Sequence, residues 1–239
     1  MIDSVLDHSQ PWTAEEYLAL GETLSRVDLI DGAIWSGPRG EPAHQAVVGA
    51  LVSAIHPAAK AAHLHALHYI NVSLGPETIL GPDLVVASYP STSSAASVSP
   101  APSASPAAAS TTSGSPDASS TLRASGTSGT LRTSGVSGSF ADFGFEAAEV
   151  ALVGEVVSAN TVAVDRVLRM HLYAAAGIPW YLLVEPKLPG FGSVRLRLLR
   201  RKGSRYVEAA VAVHGQTLTA RQPFPFALDT TSLLPGAQP

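Results

Sequence analysis

The sequence predicts an α/β protein: a central mixed β-sheet flanked by helices and interrupted by one long insert. Three observations lead there. Apolar residues recur at helical spacing in separate stretches of the 239-residue chain. Short apolar runs bounded by Gly, Pro and Asp alternate with those stretches and read as strands, which argues against an all-α or an all-β domain. Between residues 89 and 139 the composition changes abruptly to Ser, Ala, Thr, Pro and Gly, with only Asp117, Arg123 and Arg132 charged.

The elements follow in order. "WTAEEYLAL" (12–20) opens with Thr13 three residues before Glu16, a capping box, and predicts a short helix. "VDLIDGAIW" (27–35) places two apolar runs around Asp31-Gly32, a hairpin signal. "PAHQAVVGALVSAI" (42–55) opens with proline and aligns Val47, Val48, Leu51, Val52 and Ile55 on one face of a helix. "LHALHYINVSL" and "ILGPDLVVAS" read as two strands separated by the turn "GPET".

The segment 89–139 cannot bury enough surface to offset its ordering entropy, so it predicts a disordered insert. Within it "TLRASGTSG" is followed by "TLRTSGVSG", two copies, too few for a repeat fold. Order resumes near Phe140, giving one domain with an ordered core of about 12–88 and 140–234. "EVALVGEVVS" predicts a strand. "TVAVDRVLRMHLYAAAG" predicts a helix ended by Gly177, with Pro179 just beyond. "WYLLVEP" predicts a strand buried on both faces. "VRLRLLRRKGSRYVEAAVAV" predicts a hairpin turning near Lys202-Gly203-Ser204, and "QTLTA" a short edge strand.

Composition narrows the function. Hydrophobic residues make up 46% and charged residues 14%, which suits a well-packed core. A net charge of −4 excludes a bulk nucleic-acid coat but leaves room for a local basic patch. The chain has no cysteine, so disulfides, thiolate metal sites and cysteine nucleophiles are excluded. No apolar run reaches the roughly 20 residues that span a bilayer, and "MIDSVLDHSQPW" lacks the features of a signal peptide. A cytoplasmic protein without membrane partners is expected.

Three acidic residues, Asp28, Asp83 and Glu155, sit in apolar strand contexts. A carboxylate there is costly unless something compensates it. Two readings stand. If Asp83 and Glu155 lie on neighbouring strands, a hard cation such as Mg²⁺ satisfies both. Alternatively Asp83 is a turn residue after Pro82, and Glu155 pairs with a core arginine such as Arg169. His63, His65 and His68 do not share one strand face, which disfavours zinc. Ser158 lacks a G-x-S-x-G elbow, and "GPRGEP" lacks the Gly-Lys-Ser/Thr end of a phosphate loop. Arg195, Arg197, Arg200, Arg201, Lys202 and Arg205 form a basic cluster that suits either a nucleic-acid backbone or a solvated sheet edge.

The ordered series "VDLIDGAIW", "PAHQAVVGALVSAI", "GPDLVVAS" and "GEVVSANTVAVDRVLRMHLYAAAGIPWYLLVEP" resembles the restriction-endonuclease-like family long catalogued as a domain of unknown function. That family belongs to the PD-(D/E)XK nuclease superfamily. The resemblance covers nearly all of the chain outside the insert. It implies a restriction-endonuclease-like core and a Mg²⁺- or Mn²⁺-dependent endonuclease with DNA as partner, and it admits a homodimer. Its alternative is an inactive binding protein on the same fold.

By the same resemblance Asp83, after Pro82, is the first metal ligand and Glu155 the second. Asp28 falls at an acidic position of the family and is expected to orient a water or the metal. His44 matches the histidine that opens the second helix. Where the superfamily pattern has lysine, this chain has Val157. The family places its lysine on the next helix, in a pattern like Asp-Arg-x-x-Lys followed by Tyr. Here that helix reads Asp165, Arg166, Val167, Leu168, Arg169 and then Tyr173. Arginine stays protonated and cannot serve as a base, though it can hold a phosphate. Arg169 therefore either substitutes electrostatically or marks a weakened site. Its other reading is an i,i+4 ion pair with Asp165. The three lysines, Lys60, Lys187 and Lys202, all lie elsewhere.

Overall fold

A computed structural model describes residues 9–21, 26–37, 40–89, 140 and 143–236. Apart from Tyr89, the expected disordered insert, with its tandem repeat, lies outside the described residues.

Helix α1 (Ala14–Ala19) starts on the expected box: Thr13 Oγ1 accepts the Glu16 N–H, and the Glu16 carboxylate accepts the Thr13 N–H. Strands β1 (Arg26–Ile30) and β2 (Ala33–Gly37) form the hairpin around Asp31-Gly32. Both turn residues have positive φ, 48° and 73°, which matches the twist of the flanking strands. Helix α2 (Pro42–Ala61) starts at its proline and buries Val47, Val48, Leu51 and Ile55. It runs six residues beyond the expected end, through Pro57 to Ala61.

The two strand-like runs that follow are each cut in two. "LHALHYINVSL" becomes β3 (His65–Leu67) and β4 (Asn71–Gly75), broken where Tyr69 takes a φ of 53°. "ILGPDLVVAS" becomes β5 (Thr78–Leu80) and β6 (Leu84–Ala87), broken at Gly81-Pro82, where proline has no N–H to continue a ladder. The halves belong to different sheets, so the expected single central sheet is two. One has the order β2-β1-β5-β4-β7 and the other β11-β10-β9-β8-β6-β3. The chain leaves the larger sheet at Tyr69 and returns at Asp83. The Tyr69 N–H donates to the Pro82 carbonyl at 3.2 Å and ties the two crossings together.

β7 (Gly144–Glu146) pairs parallel to β4, a strand that the sequence pattern does not announce. β8 (Val150–Val156) runs antiparallel to β6 and parallel to β9 (Trp180–Pro186). A parallel pair needs a crossover. Here it comprises a π-helical turn, Val164–Arg169, and helix α3, Met170–Ala175, closed by Gly177 at a φ of 94°. β10 (Val194–Lys202) and β11 (Arg205–Ala212) form the expected hairpin at the sheet edge. β12 (Thr217–Ala220) pairs with β13 (Phe226–Asp229) in a separate two-stranded sheet.

Side-chain alternation divides the core. On one face of the larger sheet, Leu84, Val86, Leu152, Val156, Leu182 and Val184 pack with Val47, Leu51 and Ile55 of α2. On the other, Val85, Val153, Tyr181 and Leu183 pack with Tyr173 of α3. Glu155 belongs to the second face by its two-residue spacing from Val153 and Val157. The fold thus aims its carboxylate at the crossover helix. No helix among the described residues is long and apolar enough to cross a membrane.

Candidate functional site

Four separated parts of the chain meet where the two sheets approach one another. The β6–β8 register pairs Leu84 with Gly154, which sets Asp83 beside Glu155. Gly154 allows this closeness, because a Cβ there would lie 3.2 Å from both Cβ and Cδ2 of Leu84. β1 contributes Arg26 and Asp28, two residues apart and so on one face, while Leu29 packs the other way with Tyr17 and Ile79. The π-helical turn contributes Asp165 and Arg169, and α3 contributes Tyr173.

The structure brings together all four residues that the sequence singles out, Asp28, Asp83, Glu155 and Arg169, and all four are buried. Arg169 is the hub on one side. Its guanidinium donates to Glu155 Oε1 at 2.7 Å and to Asp28 Oδ2, and its Nε lies 3.7 Å from Asp165 Oδ1. The core ion pair and the i,i+4 neighbour therefore share one side chain. Tyr173 donates its hydroxyl to the same Glu155 Oε1 at 2.7 Å.

Arg26 is the hub on the other side, and it is the residue that sequence reasoning missed. Its guanidinium donates to Asp83 Oδ1 at 3.2 Å, Glu155 Oε2 at 3.0 Å and the Gly81 carbonyl at 2.6 Å. The one available signal was its two-residue spacing from Asp28 in a strand.

The remaining oxygens are fixed by the backbone. Asp83 Oδ2 accepts the Val156 N–H at 2.8 Å, and Asp28 Oδ1 accepts the Gly81 N–H at 3.0 Å. His44, at the start of α2, brings Nε2 to 3.6 Å from Asp83 Oδ1, while its buried Nδ1 has no partner. Gly40 packs against that ring: a Cβ there would meet His44 Cδ2 at 2.1 Å.

Burial pushes the Asp83 carboxyl up, but the Arg26 guanidinium, His44 and the Val156 N–H outweigh it and hold the group at about 2. Asp165 goes the other way. Burial, then the facing Glu155 charge, push it up to about 7, against the smaller lowering effects of Thr161 and the Arg169 charge. Arg169 and Arg26 lose solvation by burial, yet the carboxylates around them drive both further into the charged form. Three carboxylates thus face two permanent cations, an excess of negative charge before His44 is counted.

No three His, Asp or Glu side chains among the described residues form a metal-holding group. The oxygens that do converge are one each from Asp83 and Glu155 plus the Gly81 carbonyl. An all-oxygen set of that kind suits a hard divalent cation.

The basic cluster lies elsewhere, on the β10–β11 edge. Arg195, Arg200, Arg201, Lys202 and Arg205 are exposed, and Arg197 pairs with Glu208 at 2.8 Å. Arg201 Nε donates to the Ala174 carbonyl at the end of α3. Arg195 also lines an open hollow with Lys187, His214 and the Arg166–Glu185 ion pair. That hollow lies beside the site helix, since Arg166 follows Asp165. His63 takes a φ of 60° and precedes β3, so it shares no strand with His65.

Comparison with known proteins bears on this geometry. The family model described as "Uma2: Putative restriction endonuclease" matches residues 111–232, about half of the chain. The match takes in Glu155, Asp165, Arg169 and Tyr173. Among solved structures, the chain resembles a putative nuclease belonging to DUF820 from Anabaena variabilis. The TM-score is 0.55 at 15% identity, covering 93% of this chain and 97% of that one. At that identity the likeness carries the fold alone. No curated protein sequence matches the chain.

Proposed function

The chain belongs to the Uma2 family of putative restriction endonucleases, and on that premise we propose that it is a metal-dependent nuclease hydrolysing phosphodiester bonds in DNA. The observation that carries the reading is the convergence of Asp83 Oδ1, Glu155 Oε2 and the Gly81 carbonyl on one positive group.

In this reading Asp83 and Glu155 hold Mg²⁺ or Mn²⁺, with the Gly81 carbonyl beside them. A divalent cation held by these residues would supply water activation and stabilisation of charge on a phosphoryl oxygen. The protein's own groups prepare the place. The Val156 N–H fixes Asp83 by its other oxygen. Arg169 and Tyr173 fix Glu155 by its other oxygen, so each carboxylate offers one oxygen in a set direction. Asp28 holds the Arg169 guanidinium and the Gly81 N–H together and so links the helix to the β5–β6 turn.

Arg169 sits at the family's lysine position. It cannot take a proton and acts as a fixed positive charge beside the attacked phosphate. Lys187 and Arg195 suit the flanking backbone phosphates, beside an Arg166 that is paired with Glu185 at 2.7 Å. The full chain with Mg²⁺ or Mn²⁺ is expected to nick supercoiled DNA, and Asp83→Ala to abolish nicking. Equal activity of wild type and Asp83→Ala would sink the proposal.

One observation favours a second reading, an inactive nucleic-acid-binding protein on the same fold. Arg169 spends its donors on Asp28 and Glu155 rather than facing an open site. Arg169→Lys separates the two: cleavage gained by the variant supports a decayed site, whereas robust wild-type cleavage unchanged by it removes that reading.

A further inference from the structure

We propose that Arg26 is a built-in counter-ion that occupies the cation position of this site and that a divalent cation must displace. The inference rests on the reading of Asp83 and Glu155 as metal ligands and concerns how their site is kept when no metal is bound.

Each carboxylate has divided its oxygens. Asp83 Oδ2 and Glu155 Oε1 are committed to Val156 N–H, Arg169 and Tyr173, partners that belong to the sheet and the crossover helix. Asp83 Oδ1 and Glu155 Oε2 are committed to Arg26, as is the Gly81 carbonyl at 2.6 Å. A single guanidinium thus binds the three protein oxygens that a cation would share with water. Without a positive group there, Arg169 alone among the described residues would offset Glu155 and no permanent cation would touch Asp83, which is costly for two buried carboxylates.

The two arginines differ in how replaceable they are. The Arg169 side chain is 3% exposed and is held by carboxylates from β1, β8 and its own helix. The Arg26 side chain is 15% exposed, stands at the first residue of β1 and leaves its buried Nε without a partner. Arg26 is therefore the more exposed of the two cations and the one with an incomplete set of hydrogen bonds. His44, whose Nε2 also faces Asp83 Oδ1, remains beside the ligand when Arg26 leaves.

Displacement by a cation carries a definite signature. Metal affinity is set by competition, so removing the Arg26 charge tightens binding while weakening the metal-free fold. The test is calorimetric titration of Mn²⁺ into the full-length wild type, Arg26→Gln and Asp83→Asn, with melting temperatures taken with and without Mn²⁺. Arg26→Gln is expected to bind Mn²⁺ at least about tenfold more tightly than wild type. It should also melt lower than wild type without metal and recover more on adding it. Asp83→Asn is expected to lose the site.

If Arg26→Gln and wild type bind equally and Asp83→Asn does not bind, the metal site stands and the counter-ion role is overturned. If wild type and Arg26→Gln both fail to bind, or if binding survives in Asp83→Asn, the metal-ligand reading falls and the counter-ion role falls with it. Should Arg26→Gln not fold, Arg26→Lys replaces it. A lysine cannot bridge both carboxylates as a planar fork, so that variant should bind roughly threefold or more tightly, and no change overturns the proposal.

Discussion

Two ion pairs of nearly equal length lie in opposite settings. Arg169 meets Glu155 at 2.7 Å with side chains 3% and 0% exposed, at the junction of the sheets. Arg197 meets Glu208 at 2.8 Å with side chains 30% and 43% exposed, across the β10–β11 edge. Distance alone would rank them as equals. Solvation separates them, because water screens the outer pair and competes for its partners, whereas the inner pair has only protein to answer it. The inner charges are therefore joined in one network, in which each removal strands a neighbour. The outer charges form an isolated pair.

Mutation can break that contrast, and the largest effect belongs to the hub. Among the described residues Arg169 is the only cation paired with Asp28 and one of two paired with Glu155, so Arg169→Met should cost about 3–5 kcal/mol in a urea unfolding series. A cost below about 1 kcal/mol would show that the inner network is as loosely coupled as the outer pair. Tyr173→Phe takes only the hydroxyl from Glu155 Oε1. A charge-assisted hydrogen bond of this kind is worth about 1.5–3 kcal/mol, and the ring itself keeps its packing.

The pH dependence sharpens the comparison, since the inner region holds Asp165, a carboxyl whose proton is retained by burial. Folded Asp165 keeps its proton up to about pH 7, against an ordinary value of 3.8. Folding therefore takes up a proton between these values, and its contribution to stability is lost as pH rises from 3.8 to about 7. Asp165→Asn should remove that slope, leaving the variant more stable than wild type relative to their difference at pH 4. An unchanged slope would place the titration elsewhere. Asp83 acts in the opposite sense: its contribution is present above 3.8 and is lost as pH falls through about 2.

The smallest effect is expected outside. Arg197→Ala should cost about 0.2–1 kcal/mol, and less still in concentrated salt. The Arg169→Met cost should hardly respond to salt, so measuring both variants at low and high ionic strength tests the contrast directly.

Much of the fold was legible because its signals are local. The α1 capping box, the Asp31-Gly32 turn, the Pro42 helix start and the Gly177 stop each depend on a few neighbouring residues, and each appears where its residues stand. The breaks at Tyr69 and Gly81-Pro82 were less legible. Alternating apolar residues read the same whether one strand continues or two strands divide between sheets. β7 and β13 were missed because three- and four-residue strands carry almost no periodic signal of their own.

The site divides along the same line. Chain order and residue type were enough to single out Asp28, Asp83, Glu155 and Arg169, since carboxylates in apolar runs demand compensation wherever they lie. Which cation compensates which oxygen depends on register, on a glycine that lets β6 approach β8, and on a crossover helix whose wide turn faces Glu155. Arg26 had no local mark beyond its spacing from Asp28, because its meaning comes from oxygens 55 to 129 residues away in the chain. Local patterns recorded the elements and their acidic residues, whereas the division of each carboxylate between a fixed partner and a replaceable one arises only when distant segments pack.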